Sequence, residues 1–426
     1  LLILILRFYI LNTEFFIARR MVRHSGGKSS ISSPIIKIAI SAIALGVVMI
    51  LIAVATGRGL QERIREKIAS LNGHIQIFNY DTNHSEVSVA PISMEEDFYR
   101  DPQFFNHEGK KVVHIQAVIT KGGIIRTEKT FEGIIAKGVG KDFNWRYMRG
   151  YLKAGKLPHF ASDSISHEVL ISEYLANRLE LSVGDICNTL FLREDSMGIP
   201  NQRNFKIAGI YRSGFQQFDA TYILVDIRQL QKINKWTAQQ AGLFEVYIKD
   251  FDQMEPTGAY IYNHIPAEYD SQTIAQKYPT IFDWFHTFDL NILIIISIMV
   301  IVGGVNMITA ILVLILERTP MIGTLKALGA TSWSIRKIFL YNAAYLIGLG
   351  LFWGNLIGLG LLGVQYYFTP LKLDPSIYYV SEVPIYIHMG YILALNIGIL
   401  VICLLMLLIP SYIVSKISPI RAIKFE

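Results

Sequence analysis

Four long uncharged runs near the chain ends, a middle of ordinary globular composition, and basic residues gathered beside the runs predict the fold class. It is an α-helical four-span membrane protein with a large α+β periplasmic domain between the first and second transmembrane helices. Composition agrees, since 52% hydrophobic against 17% charged residues is too apolar for a soluble protein of 426 residues. The formal charge of +6 does not point to nucleic acid, because the cations flank apolar runs rather than cluster on the middle.

The first uncharged run, 38–57, has the length that crosses about 30 Å of hydrocarbon as a helix. Pro34 suits a helix start and Lys37 can reach the headgroups, so the first span is placed at 35–57, after a cytoplasmic amphipathic segment at 1–34. Residues 1–6 lack the basic lead and the length of a signal-peptide core, so this span is expected to act as an uncleaved anchor. The run 290–316 is long enough to tilt, giving a second span at 287–316. A third run, 338–371, exceeds one level span, and Pro370 marks a loop beyond its helix. That places span three at 338–366 and a short periplasmic loop at 367–385. Span four, 386–410, is stopped by Pro410 and followed by a cytoplasmic tail at 411–426.

Orientation follows from the short flanks. Arg7, Arg19, Arg20, Arg23, Lys28 and Lys37 precede span one; Arg318, Lys326, Arg336 and Lys337 lie between spans two and three; Lys416, Arg421 and Lys424 follow span four. The loop at 367–385 offers only Lys372 against Asp374 and Glu382. This asymmetry puts both termini and the 317–337 connection in the cytoplasm and 58–286 on the other side of the membrane.

Within 58–286, Leu60, Ile64 and Ile68 recur every four residues among charges, so helix one should continue as an amphipathic stalk. Strands are expected at 74–78, 112–119, 129–134, 204–210, 221–225 and 245–248, and helices at 172–179 and 226–235. In span three, Gly350, Gly354 and Gly358 form a stripe that permits close helix packing.

Chemistry is harder to find. Gly27-Lys28-Ser29 ends like a phosphate-binding loop, but Val22 stands where the pattern needs glycine. His159 and His167 are not at metal-ligand spacing, and no nucleophile with a base and orienting partner is recognisable. Cys187 in the water-facing middle and Cys403 in span four are not expected to pair. The chain is therefore not expected to be an enzyme, nor to hold a metal or cofactor of its own. The 317–337 connection is more informative. It predicts a short helix from Pro320 to Leu328, a break at Gly329, and an apolar face of Ile322, Leu325 and Leu328 for a partner's groove.

That same stretch, ERTPMIGTLKALGATSWSIRKIFL at 317–340, resembles the coupling segment of permeases related to the cell-division and macrolide-export ABC proteins. The FIARR stretch at 16–20, the NGHI at 72–75, VLISEYLANRLELSVGD at 169–185 and GIYRSGFQQFD at 209–219 look like the transmembrane subunits of the lipoprotein-releasing ABC transporter. The likeness covers nearly the whole chain.

The resemblance implies an ATPase-docking element at Glu317, Ile322, Gly323, Leu325, Lys326, Leu328 and Gly329, served by two cytoplasmic ABC ATPase subunits that bind ATP and Mg outside this chain. It also implies a second permease, identical or homologous, triacylated lipoproteins as cargo, and a periplasmic lipoprotein carrier. Extracting a lipid anchor means replacing about 0.8 kcal/mol of burial per methylene, so an apolar cavity is expected near the outer face. Its candidate lining residues are Val47, Met49, Ile52 and Ile295. Arg318-Thr319-Pro320 departs from the charged run of many relatives, which puts details of partner pairing in doubt. A second reading is a mechanotransmitting scaffold that regulates a periplasmic partner such as a cell-wall hydrolase.

Overall fold

The structure, a computed structural model, describes residues 13–24, 32–107, 111–160, 164–191 and 200–412. Gly27-Lys28-Ser29 and the cations Arg7, Lys416, Arg421 and Lys424 lie outside them. Helices α1 (Thr13–His24) and α2 (Ser32–Asn72) open the chain. There follow strands β1 (Ile75–Asn79), β2 (Ile92–Ser93), β3 (Val112–Arg126), β4 (Phe131–Val139), β5 (Leu152–Gly155) and β6 (Glu168–Ser172), then helix α3 (Glu173–Leu179). Next come β7 (Ile186–Phe191), β8 (Asn201–Tyr211), α4 (Gln216–Thr221), β9 (Tyr222–Asp226) and α5 (Ile227–Asn234). Strands β10 (Gln240–Ala241) and β11 (Leu243–Ile248), helix α6 (Met254–His264) and β12 (Tyr269–Thr273) complete the middle. The chain then forms α7 (Pro279–Glu317), α8 (Thr319–Ala327), α9 (Ser332–Phe368) and α10 (Met389–Met406).

Two compact units emerge: Leu1–Leu60 with Phe285–Leu371 and Val383–Glu426, and Gln61–Trp284 with Lys372–Glu382. Among the described residues, four helices are long and apolar enough to cross a membrane: α2 from Pro34, α7, α9, and the stretch Met389–Ser411 that contains α10. Their packed interior joins Ile43, Val47 and Leu51 of α2 to Met307 and Ile311 of α7, Phe339 and Leu346 of α9, and Ile399 and Cys403 of α10. Helix α10 starts three residues later than the apolar run suggests. His388 caps it, its side chain accepting the Gly390 N–H, and before it the Tyr386 N–H is spent on the Ala55 carbonyl at 3.0 Å.

Helix α2 does not stop at the end of its apolar run. Leu60, Ile64 and Ile68, the stripe of the expected stalk, are all buried. The helix ends where Gly73 takes a left-handed φ of 72°, its N–H returning to Ala69 O at 2.8 Å. Glycine is required there twice over, because a Cβ would also sit 2.9 Å from Glu245 Cβ.

The outward domain is α+β. Its main sheet runs β12-β1-β11-β3-β4-β9-β6-β8-β5, with β7 pairing both β3 and β8. Most neighbours are antiparallel, while β4–β9 and β6–β8 are parallel. Central β11 is buried along its whole length, as a strand covered on both faces must be. All six expected strands and both expected helices are present, with Ser172 and Asp226 as the N-caps of α3 and α5. Elements that were not expected also appear, among them β12, a polar YDSQT edge strand, and α6, which carries Pro256 and Gly258.

Where the stalk meets the sheet, Lys137 of β4 lies with its Nζ 2.5 Å from Leu71 O and 2.6 Å from Glu245 Oε1. Both partners of the ion pair are almost fully buried. Burial lowers the Lys137 pKa, opposed by the Glu245 carboxylate. Gln116 Nε2 donates to the other Glu245 oxygen at 2.8 Å, so each oxygen of the carboxylate has a donor.

Just past this helix end, burial pushes the His74 imidazole down to about 4. Its Nδ1 accepts the Ile248 N–H at 3.4 Å, and its ring lies edge-on to Tyr247, so the neutral form is the one the site fits. Because the folded pKa is depressed below the ordinary 6.5, the unfolded chain binds the extra proton first. Outward-domain stability is therefore full above about pH 7 and falls by about 3 kcal/mol as pH drops through 6.5 to 4. Unfolding measured across that window should flatten in His74→Gln; an unchanged slope would remove His74 as its source.

Candidate functional site

The connection between α7 and α9 folds as its residues dictate. Pro320 occupies the first turn of α8, where its missing N–H costs nothing, and Gly329 ends it with φ 92°. Thr331 then caps α9, its hydroxyl accepting the Ser334 N–H at 3.2 Å. Glu317 stands exposed at the end of α7.

The expected apolar docking face is not a single face. Ile322 is 0% exposed and belongs to the core of its own helical unit, with Gly323 buried beside it and Leu325 packed against that core. Leu328 is 80% exposed. Residues three apart on an α-helix drift round the axis, so Ile322 and Leu328 are separated by about 120°. The inner positions hold α8 in place, while Glu317, Leu328 and Gly329 face outward. Lys326 is half-buried, and desolvation lowers its pKa.

The glycine stripe of α9 meets α2 in register. A Cβ on Gly350 would lie 2.7 Å from Ile43 Cγ2, one on Gly354 2.6 Å from Val47 Cβ, and one on Gly358 3.0 Å from Leu51 Cδ1. Each step of four on one helix matches a step of four on the other, so the two run parallel, with α9 glycines receiving α2 side chains.

This seam corrects one cavity assignment. Val47 is 3% exposed and fills the notch at Gly354, so it packs within its own bundle rather than lining an opening beyond it. Met49 points outward, 44% exposed, while Ile52 and Ile295 are half-buried. A separate apolar groove lies within this unit between α2, α9 and the α10 region, with Leu51, Val54, Leu359, Leu362, Ile392 and Leu395 in its wall. None of these six was expected there, because apolar composition does not encode azimuth in a helix that is apolar all round.

Sequence reasoning also missed a polar clasp in the bundle. Asn355 Nδ2 donates to Asn396 Oδ1 at 2.6 Å and Asn396 Nδ2 returns to Asn355 Oδ1 at 3.1 Å, joining α9 to α10. The signal was available: an amide within an apolar span needs a partner.

A family model described as the MacB-like periplasmic core domain matches residues 38–261, and one described as FtsX-like permease C-terminal matches 293–419. The chain is 19% identical to the lipoprotein-releasing system transmembrane protein LolC of Xylella fastidiosa, covering 90% of this chain and 92% of that one. Identity to LolC of Haemophilus influenzae is 22%, again over 90% and 92%. To LolE of the same organism it is 19%, over 97% of this chain and 99% of the relative.

Proposed function

Because the chain belongs to the family of permeases that join a MacB-like periplasmic core domain to an FtsX-like permease region, we propose that it is the permease subunit of an ABC transporter. In this reading it uses ATP hydrolysis by separate subunits to release outer-membrane-directed lipoproteins from the inner membrane to a periplasmic carrier. The observation that carries it is the similarity to LolC and LolE along 90–97% of the chain. The exposed end of α8, with the α2 stalk, gives it a physical route. Two ATPase subunits, binding ATP and Mg themselves, dock at Glu317, Leu328 and Gly329; a second permease completes the membrane part. Closure of the ATPases shifts the spans, and α2 carries that displacement outward as one helix.

Depleting the protein and separating the two membranes tests the function. Lipoproteins bound for the outer membrane should accumulate in the inner one. Normal sorting combined with failed septation or wall cleavage would replace this reading with the scaffold. For docking, Leu328→Glu and Lys326→Glu should each lower ATPase co-purification about tenfold, and the Leu328 variant should fold as wild type because that side chain is 80% exposed. Unchanged recovery of the ATPase with both variants would take α8 out of the docking surface.

A further inference from the structure

The segment GIYRSGFQQFD has a use within the outward unit. That unit includes 372–382, the loop between α9 and α10, as well as the C-terminal end of α2 and the segment leading into α7. The loop and the segment leading into α7 meet one buried side chain, and α2 bonds to both of the residues that it touches. Phe215, 1% exposed, lies edge-on to Tyr278 at 5.7 Å and 5.5 Å from Tyr379 of the loop. Tyr278 immediately precedes α7, and its hydroxyl donates to Asn72 Oδ1 at 3.2 Å on α2. Lys67 of α2 donates to Tyr379 O at 2.5 Å.

The turn that presents Phe215 is built on Asp219. Its carboxylate accepts the Ser213 N–H at 3.1 Å, the Ser213 hydroxyl at 2.6 Å and the Gly214 N–H at 2.9 Å. The Ser213 oxygen in turn accepts the Phe215 N–H at 3.0 Å. Tyr379 pays a backbone cost to be there, holding φ at 60°, a conformation that a bulky residue adopts only when its surroundings fix it.

We propose that Phe215, on its Asp219-built turn, is a positioning residue: it fastens the 372–382 loop to the stalk ends, so that motion of α9 and α10 reaches the outward domain together with that of α2 and α7. The backbone bonds of the loop, such as Leu373 N–H to Ser381 O at 3.0 Å and Tyr379 N–H to Pro375 O at 3.1 Å, close it on itself, so without an anchor to the stalk it would shift as a piece and absorb the displacement instead of passing it on. The transport half of this inference rests on the permease reading; the joint itself does not.

Hydrogen exchange on the full-length protein in its complex with the ATPases, with release and hydrolysis measured on the same preparation, separates the two. Phe215→Ala should speed exchange of amides in 372–382 about tenfold while the β-sheet amides stay protected. It should also lower lipoprotein released per ATP about fivefold at unchanged basal hydrolysis, and Phe215→Leu should restore most of that ratio. Tyr379→Ala, at a half-buried loop position, should reproduce the effect and serves if Phe215→Ala does not fold. Unchanged loop exchange, or a loosened loop with an unchanged release ratio, overturns the proposal. A wild-type complex that releases no lipoprotein overturns the permease reading, and loop exchange alone then upholds or overturns the joint.

Discussion

Lys137→Met is expected to destabilise the outward domain by about 3–5 kcal/mol, seen in unfolding of the full chain as a midpoint lowered by about 10 °C. The methionine keeps the stem but leaves Glu245, almost fully buried, with no cation to offset its desolvation. It also removes the ammonium that caps the last turn of α2 at Leu71 O, where the unsatisfied carbonyls of a helix end favour positive charge. Replacing both partners, as Lys137→Met with Glu245→Gln, should recover more than half of the loss, since two neutral side chains leave no buried charge to solvate. Equal losses in the single and double variants would mean that the cap on α2, rather than the pairing, holds this junction.

Gly354→Ala should cost about 2 kcal/mol in the membrane unit, whereas Gly360→Ala in the same helix should stabilise by up to about 1 kcal/mol. The added methyl at 354 would lie 2.6 Å from Val47 Cβ and 2.9 Å from Ala44 O. Neither neighbour is the loose end of a flexible chain: one is β-branched and the other is backbone. The helices must separate, and the contacts at Gly350 and Gly358 loosen with them. At Gly360 a Cβ meets nothing within 4 Å, so the gain in helix propensity is felt alone. Thermal unfolding in detergent should order the proteins as Gly360→Ala, wild type, Gly354→Ala. A Gly354→Ala protein as stable as wild type would show that the seam relaxes freely.

Much of the architecture was legible because it is written in period and charge. The stripe of Leu60, Ile64 and Ile68 predicted a helix continuing past its apolar run, and α2 is continuous to Asn72. The break at Gly329 and the caps at Ser172 and Asp226 are local backbone chemistry, which a few neighbouring residues decide. Edge strand β12 was silent because a polar edge strand need not alternate, and α6 because proline and glycine hide a helix held by tertiary contacts.

Composition, spacing and cation placement were enough to specify four membrane-length helices, the domain between the first two, and the short helix between the next two. They could not say which side of each helix faces what. In an apolar span every azimuth looks alike, so only packing placed Val47 in the Gly354 notch, sent Ile322 inward and Leu328 outward, and paired Asn355 with Asn396. The partners of Lys137 and Phe215 are likewise remote in sequence, Glu245 in one case and Tyr379 in the other. Such pairings depend on where the folded chain brings distant segments together, which no local pattern encodes.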